Sequence, residues 1–481
     1  MNKKTVLCID CDGTLIKTDL LHEAVLLLIK QAPTKLFSII LWLFKGKAHL
    51  KNRLAEAVHF NYSTLPYNEK ILYLIREEKL KGRRIVLATA SHRLWAEGIA
   101  KYLGSIDDII ATDSKTNLSG KNKALKLVEL YGEGGFSYAG NSCKDLPVWR
   151  HADSAIIVSA NPRLARKAER VIKAINFFQS DRATIFTYIK ALRLYQWLKN
   201  MLVFVPMLAA HRFGDSGIMF NSTLGFLSFG LCASAGYVFN DLLDLESDRR
   251  HIRKCNRPFA SALIPVWQGL LLLPVLLSAS FFIAILLPEK FIILLVLYFV
   301  STITYSIVFK KRVIIDVILL AALYTLRILA GSVATEIIPS FWLLAFSMFI
   351  FLSLAIVKRH SELNVVLQQS KTIPAGRGYS VNDLNVMMSL GVSAGMASVL
   401  VLALYINNPD ISELYPYKIW LWMLPPLLLY WVSRVWMKSN RGEIHDDPIV
   451  FAVTDWQSLV LVIVAILIIL AALKLNYLSL T

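Results

Sequence analysis

From about Gln196 to the end of the chain, apolar stretches long enough to cross a bilayer follow one another, and this limits the folds open to it. Hydrocarbon offers no water to backbone N–H and C=O groups, so a spanning segment must satisfy them itself, as a helix or in a closed barrel. Runs near twenty residues are helix length. Nine such runs are expected, at 196–213, 218–239, 266–288, 291–309, 313–335, 340–358, 385–407, 417–438 and 458–478. A chain of 481 residues that is 56% hydrophobic is too apolar for one soluble domain. Residues 1–185 are different, with the mixed charge of ordinary globular sequence. The expected architecture is therefore an N-terminal α/β parallel-sheet domain with a helical cap (1–180), then an all-α polytopic membrane domain of nine transmembrane helices (190–481). The basic segment Arg163–Lys173 is expected to lead into the join.

The formal net charge is +18. In a polytopic chain this reads as topology rather than nucleic-acid binding. Basic residues crowd every second loop: Arg249, Arg250, Arg253, Lys254 and Arg257; Lys310, Lys311 and Arg312; Lys358, Arg359, Lys371 and Arg377; Arg434, Lys438 and Arg441. The opposite loops hold Arg212, Lys290 and Lys418. The positive-inside rule then puts the N-terminal domain and the basic loops in the cytoplasm, with the spans in the inner (cytoplasmic) membrane and Thr481 outside. The five cysteines (Cys8, Cys11, Cys143, Cys232, Cys255) are scattered, as expected of free thiols in a reducing compartment. Met1–Lys4 is polar and does not read as a signal peptide.

Asn240, Asp241, Asp244 and Asp248 close the second run. Residues 240, 244 and 248 are four apart, so on a continuous helix they share one face, and Asp241 lies one turn before Asp244. Crowded acceptors repel one another, and charge near a membrane is costly. A divalent cation offsets both, and Mg2+ suits carboxylate oxygens and shared phosphates. The plainer reading is a solvated helix end that anchors the span.

In the N-terminal part, the short apolar runs Thr5–Ile9, Arg84–Ala88, Phe136–Ala139 and Ser154–Ser159 read as buried strands. Three of them end in polar clusters: Asp10-Cys-Asp12-Gly13-Thr14, Thr89-Ala-Ser91, and Gly140-Asn141-Ser142-Cys143-Lys144-Asp145. Parallel α/β sheets bind ligands beyond the carboxyl ends of their strands. The helical stretch between the first two clusters is the place for a cap. Its segment Lys35–Lys45 is apolar, too short to span, and bracketed by lysines, which suits an interfacial helix; packing on the domain's own core is the alternative.

As an ordered set, these clusters resemble the haloacid dehalogenase-like phosphatases over about residues 3–160. The resemblance implies that Asp10 is the nucleophile that becomes an aspartyl-phosphate and Asp12 the general acid/base. It implies that Thr89 holds phosphoryl oxygens and that Lys123 (or Lys121) neutralises charge. Asp145 would bind Mg2+ with Asp10, in a metal site that also includes Asp12. Asn141 stands where the family often has a second acid, so a metal-binding but inactive domain is the alternative.

With the Asp-rich segment in place, residues 190–480 resemble the UbiA superfamily of intramembrane prenyltransferases. There, Mg2+ on the Asp motif (here Asn240, Asp241, Asp244 and Asp248) binds the diphosphate of the donor. Where most members carry another Asp-rich segment, this chain has Lys358-Arg359-His360-Ser361-Glu362, a mainly basic stretch suited to a phosphate. That combination resembles the decaprenyl-phosphate phosphoribosyltransferase branch, whose activity implies phosphoribosyl pyrophosphate and a polyprenyl phosphate lipid as substrates, in cell wall biosynthesis. Supporting stretches contain Gln196, Lys199 and Asn200; Arg257; Arg327; and Arg441 to Asp447-Pro448. The implied substrate-binding residues are Gln196, Lys199, Asn200, Arg257, Arg327, Lys358, Arg359 and Glu362, with Asp241 and Asp244 catalytic. Arg327 lies inside a span, where an Arg normally faces a cavity or partner. The first expectation is Mg-dependent transfer of 5-phosphoribose to polyprenyl phosphate, followed by a phosphatase step in the N-terminal domain. The alternative enzyme is an aromatic prenyltransferase with a polyprenyl diphosphate donor. A transporter is a third reading, but transporter sites lie near mid-membrane and this acidic cluster is at a helix end. Homo-oligomer formation is left open.

Overall fold

The computed structural model describes residues 5–112, 118–368, 378–409, 411–444 and 448–474. Met1–Lys4, Lys371, Arg377, Asp447 and Thr481, named above, lie outside them. The chain divides into two compact units, one of residues 1–192 with 237–273 and the other of 193–236 with 274–481.

The first unit is built on a six-stranded sheet of order β3-β2-β1-β4-β5-β6, parallel throughout. Its strands are β1 (Val6–Ile9), β2 (Ile85–His92), β3 (Asp108–Thr112), β4 (Phe136–Gly140), β5 (Ser154–Ser159) and β6 (Ile175–Gln179). Alternate residues of one strand enter two different cores. Leu7, Ile9 and Leu87 pack with Ile71 and Trp95, whereas Cys8, Val86 and Ala88 pack with Phe136 and Trp149. A sheet covered on both faces explains why its central strands read as unbroken apolar runs.

Two strands went unseen in the sequence. β3 begins at Asp108, directly after Asp107, and β6 is an edge strand with Phe177 exposed and Asn176 and Gln179 along it. Neither has a continuous apolar signature. The segment around Arg163–Lys173 therefore does not leave the sheet. Its helix Pro162–Ala168 crosses over to β6. Three cap helices stand between β1 and β2: α1 (Leu20–Gln31), α2 (Leu36–Phe44) and α3 (Lys47–Ala57). Asp19 caps α1 by accepting the Leu21 N–H at 2.9 Å.

Among the described residues, seven helices are long and apolar enough to cross a membrane: Ser216–Leu243, Val266–Ala284, Glu289–Ile307, Ile315–Thr335, Phe341–Gln368, Val381–Asn407 and Trp456–Leu473. The other two expected runs are helical but divided. Residues 196–213 fall on a 3-10 helix, Leu194–Phe204, and the short helix Val205–Ala209. Residues 417–438 fall on a 3-10 helix, Lys418–Met423, and the helix Leu424–Asn440. Pro206 and Pro425 stand at the start of the two α-helical pieces, where a missing N–H and fixed φ are tolerated. In the second unit, small residues bring backbones together. A Cβ on Gly331 would lie 1.9 Å from the Val203 carbonyl oxygen, so any side chain there would force the helix Ile315–Thr335 off the 3-10 segment.

Candidate functional site

The carboxyl ends of β1, β2 and β4 converge on one polar cluster. Asp10 follows β1, and its N–H donates to the Ala139 carbonyl at 2.9 Å. Lys123, on the helix Lys121–Tyr131, reaches Asp10 Oδ1 at 2.7 Å, whereas Lys121 is exposed. The Lys123 ammonium also donates to the Tyr138 hydroxyl at 2.7 Å, and that hydroxyl donates to Asp145 Oδ1 at 3.2 Å. The other oxygen of Asp145 accepts the N–H groups of Asn141 (3.1 Å) and Ser142 (3.0 Å). Asp12 accepts the Leu20 N–H at 2.9 Å and the Ser91 hydroxyl at 2.5 Å. Thr89 is fully buried, and its Oγ1 accepts the Ser91 N–H at 2.9 Å. Gly13 turns the chain with φ +74°, and a Cβ there would lie 1.9 Å from the Asn141 amide nitrogen. Only glycine meets both demands.

The cluster brings together Asp10, Asp12, Thr89, Lys123, Asn141 and Asp145. Burial pushes the Asp10 carboxyl up to about 6; Lys123 opposes the shift and Asp145 adds to it. Burial, followed by the nearby charge of Asp19, pushes Asp12 up to about 7. Tyr138 and Lys51 are not singled out by the sequence, and Ser91 is named there only as a member of the Thr89-Ala-Ser91 cluster, without a role. Ser91 carried a signal, lying two residues from Thr89 on one strand and hence on the same face. Lys51 carried none. It comes from α3 of the cap and donates to the Ala90 carbonyl at 2.7 Å, beside a 3.1 Å contact between Asn52 and the His92 ring.

The Asp-rich segment belongs to the same unit from Tyr237 onward. The helix Ser216–Leu243 ends there, and a short helix, Leu245–Arg249, follows Asp244. The helical hydrogen bonds nevertheless run on across Asp244, whose N–H donates to the Asn240 carbonyl at 3.0 Å and whose carbonyl accepts the Asp248 N–H at 2.8 Å. Asp241 and Asp248, about two turns apart, share one cation: Arg257 Nη1 lies 3.1 Å from Asp241 Oδ1 and 2.6 Å from Asp248 Oδ2. Both carboxylates are buried. Asp244 faces Lys30 of α1 at 3.4 Å, and Asn240 is half-buried on the last helical turn. Among the described residues, no three His, Cys, Asp or Glu side chains stand together as a metal cage. The carboxylates have cations of the chain beside them. Asp241 and Asp248 nevertheless present carboxylate oxygens, the donor type that Mg2+ takes.

Arg249, in the same segment, donates to both carboxylate oxygens of Glu23 on α1 (2.6 and 2.9 Å) and to the Ala260 carbonyl at 3.0 Å. Both side chains of this ion pair are more than nine-tenths buried. Glu23→Ala strands the guanidinium, and the expected cost is about 3–5 kcal/mol, the usual penalty for breaking a buried pair. A clearly lower unfolding midpoint in detergent, with a smaller drop for Glu23→Gln, checks this.

In the second unit, the 3-10 helix Leu194–Phe204 buries Gln196, Lys199 and Asn200. Arg327 is buried within its span and does find partners: Asn200 Oδ1 and the Tyr298 hydroxyl, both at 2.9 Å, and the Leu323 carbonyl at 2.5 Å. The rings of Tyr298, Tyr324 and Phe229 surround its guanidinium, and Lys199 lies over Tyr324 at 5.6 Å. Asn200 Nδ2 is buried and has no hydrogen-bond partner among the described residues. In the basic stretch, Arg359 is only 2% exposed and donates to Asp316 (2.7 Å), Glu362 (2.8 Å) and the Tyr305 hydroxyl (2.5 Å). Its charge is offset by two carboxylates, while Lys358 is half-buried.

Residues 201–446 match the UbiA prenyltransferase family, and residues 7–150 match the haloacid dehalogenase-like hydrolases. The chain belongs to the UbiA prenyltransferase family and carries an N-terminal haloacid dehalogenase-like domain. It is a membrane transferase of that type joined to a hydrolase-like domain. An uncharacterised protein of Sinorhizobium fredii, y4nM, is 36% identical over 94% of this chain and 88% of its own length. The nodulation protein NoeC of Azorhizobium caulinodans is 35% identical over 58% of this chain and 90% of its own. The decaprenyl-phosphate phosphoribosyltransferase of Mycobacterium tuberculosis is 30% identical over 43% of this chain and 70% of its own.

Proposed function

We propose that the protein transfers 5-phosphoribose from phosphoribosyl pyrophosphate to a polyprenyl phosphate in the cytoplasmic membrane, and that its N-terminal domain, on the cytoplasmic side, hydrolyses the 5-phosphate group off the ribose of the product. The pairing of Asp241 and Asp248 around a single cation carries the first half of this reading. The relationship to a decaprenyl-phosphate phosphoribosyltransferase supports the choice of donor and acceptor.

Asp241, Asp244 and Asp248, with Asn240 as a further oxygen donor, would hold magnesium for the transfer, and Asp10, Asp12 and Asp145 would hold it in the N-terminal domain, where it would supply Lewis-acid and electrostatic stabilisation of phosphate charge. For the transfer, Arg257 turns from the carboxylates to diphosphate oxygens, which a guanidinium fork binds in bidentate fashion. As the C1–O bond of ribose breaks, charge moves onto the departing diphosphate, and a lipid phosphate oxygen bonds to C1. Lys199 and Lys358 are the cations assigned to that lipid phosphate. Gln196, Asn200, Arg327, Arg359 and Glu362 orient the polar groups around them.

In the second step an Asp10 oxygen attacks phosphorus, and the bond to the ribose 5-oxygen breaks as Asp12 gives that oxygen a proton. Water then attacks the aspartyl-phosphate with Asp12 as base. Thr89, Lys123 and Asn141 hold the phosphoryl oxygens, and Ser91 and the Leu20 N–H keep Asp12 in place.

Membranes containing the protein, given labelled phosphoribosyl pyrophosphate and polyprenyl phosphate, are expected to carry label into the lipid fraction. Absence of label, with polyprenyl diphosphate consumed in the presence of an aromatic acceptor, would replace this reading with an aromatic prenyltransferase.

A further inference from the structure

The cap carries a helix whose outer surface is almost wholly apolar. α2 reads Leu-Phe-Ser-Ile-Ile-Leu-Trp-Leu-Phe. Ile39 is buried, and Trp42 packs half-buried against the same core. The remaining large side chains face outward: Phe37 is 76% exposed and Phe44 is 87% exposed, with Leu36, Ile40, Leu41 and Leu43 between 44% and 63%. Positions 37, 40, 41 and 44 follow helical spacing, so they form one continuous face opposite Ile39 and Trp42. Ordinary soluble surfaces scatter such residues singly, and a contiguous patch marks an interaction site.

We propose that this outer face of α2 inserts into the interfacial layer of the bilayer. Two features select lipid over a protein partner. Phe37, Ile40, Leu41 and Phe44 bring no side-chain donor or acceptor with which a partner's polar groups would pair. Exposed lysines, Lys35 and Lys45, stand at its two ends, as suits anionic headgroups. Nine residues of helix extend about 13 Å, too short to span and long enough to lie in the plane of the interface. The bilayer is available because the same chain crosses it. Gly46 (φ +104°) turns the chain directly from α2 into α3, whose Lys51 and Asn52 contact the β2 end of the phosphate cluster. Lipid contact at α2 therefore sets the depth of the cap edge over that cluster. Resting on the phosphatase reading above, this suits a phosphomonoester presented at the headgroup level.

The test uses the full chain reconstituted in nanodiscs of phosphatidylcholine and phosphatidylglycerol, with Cys143→Ser and Cys255→Ser removing the accessible native thiols. A polarity-sensitive fluorophore is placed on Phe44→Cys, on Leu41→Cys and, as an aqueous control, on Lys101→Cys. The labels at 41 and 44 are expected to be quenched by acyl-chain spin-labelled lipid and shielded from iodide, with the reverse at 101. Labels at 41 and 44 that behave like the control overturn the proposal. So does shielding from both quenchers, which would mean a protein partner such as a second copy. The second arm reads F37E combined with F44E. Its KM for a lipid-linked phosphomonoester is expected to rise about tenfold, as two apolar anchors are lost, with hydrolysis of a soluble aryl phosphate unchanged. Equal losses on both substrates would mean a folding role and overturn the positioning claim. The quenching result does not depend on phosphatase activity, so an inactive hydrolase domain and a cap that is not lipid-bound give different outcomes.

Discussion

Asp241→Ala or Asp248→Ala is expected to lower phosphoribosyl transfer by about a thousandfold, the scale of losing a principal electrostatic stabiliser of departing charge. The two carboxylates share Arg257, so either substitution breaks the same grouping, and the double variant should lose little more than each single one. Arg257 is about a quarter exposed, so it can be hydrated once a partner is gone, and the fold is expected to survive. The check is labelled sugar entering the lipid fraction, alongside the unfolding midpoint. Sugar incorporation at the wild-type rate in both single variants would remove the basis for the transfer reading.

Asp10→Asn is expected to abolish release of phosphate from the phosphoribosyl lipid, by about a thousandfold or more, because an amide cannot take the nucleophile's place. Transfer itself should continue, so the 5-phosphorylated lipid should accumulate. Asn is nearly isosteric and can still accept from Lys123, so the loss is one of chemistry rather than of folding. Mass analysis of lipid products distinguishes the two steps. Unchanged phosphate release would exclude Asp10 as the attacking group.

The polar ends of β1, β2 and β4 were legible because strands buried on both faces are unbroken apolar runs, and ligand groups collect where such runs stop. β3 and β6 were not, since an acidic start and a half-exposed edge erase that signal. Spacing left Lys121 and Lys123 open; the turn of the helix Lys121–Tyr131 places Lys123 on Asp10. Nine apolar runs were expected and seven unbroken helices of spanning length were found among the described residues, because run length does not register where a 3-10 turn divides a helix. Spacing placed the Asp segment on one helical stretch, but that Arg257 joins Asp241 to Asp248 could not be read from it.

Local chemistry along the chain was enough to make this a membrane protein with a polar cluster at strand ends. Hydrocarbon forbids unsatisfied backbone, and parallel strands must be apolar on both faces, so both facts are written in runs of a few to twenty residues. Which charges meet was decided only by the folded chain. Glu23 and Arg249 are 226 positions apart, and Lys30 and Asp244 are 214 apart. An ion pair depends on the distance between two side chains in space, and no periodicity in the sequence encodes that distance.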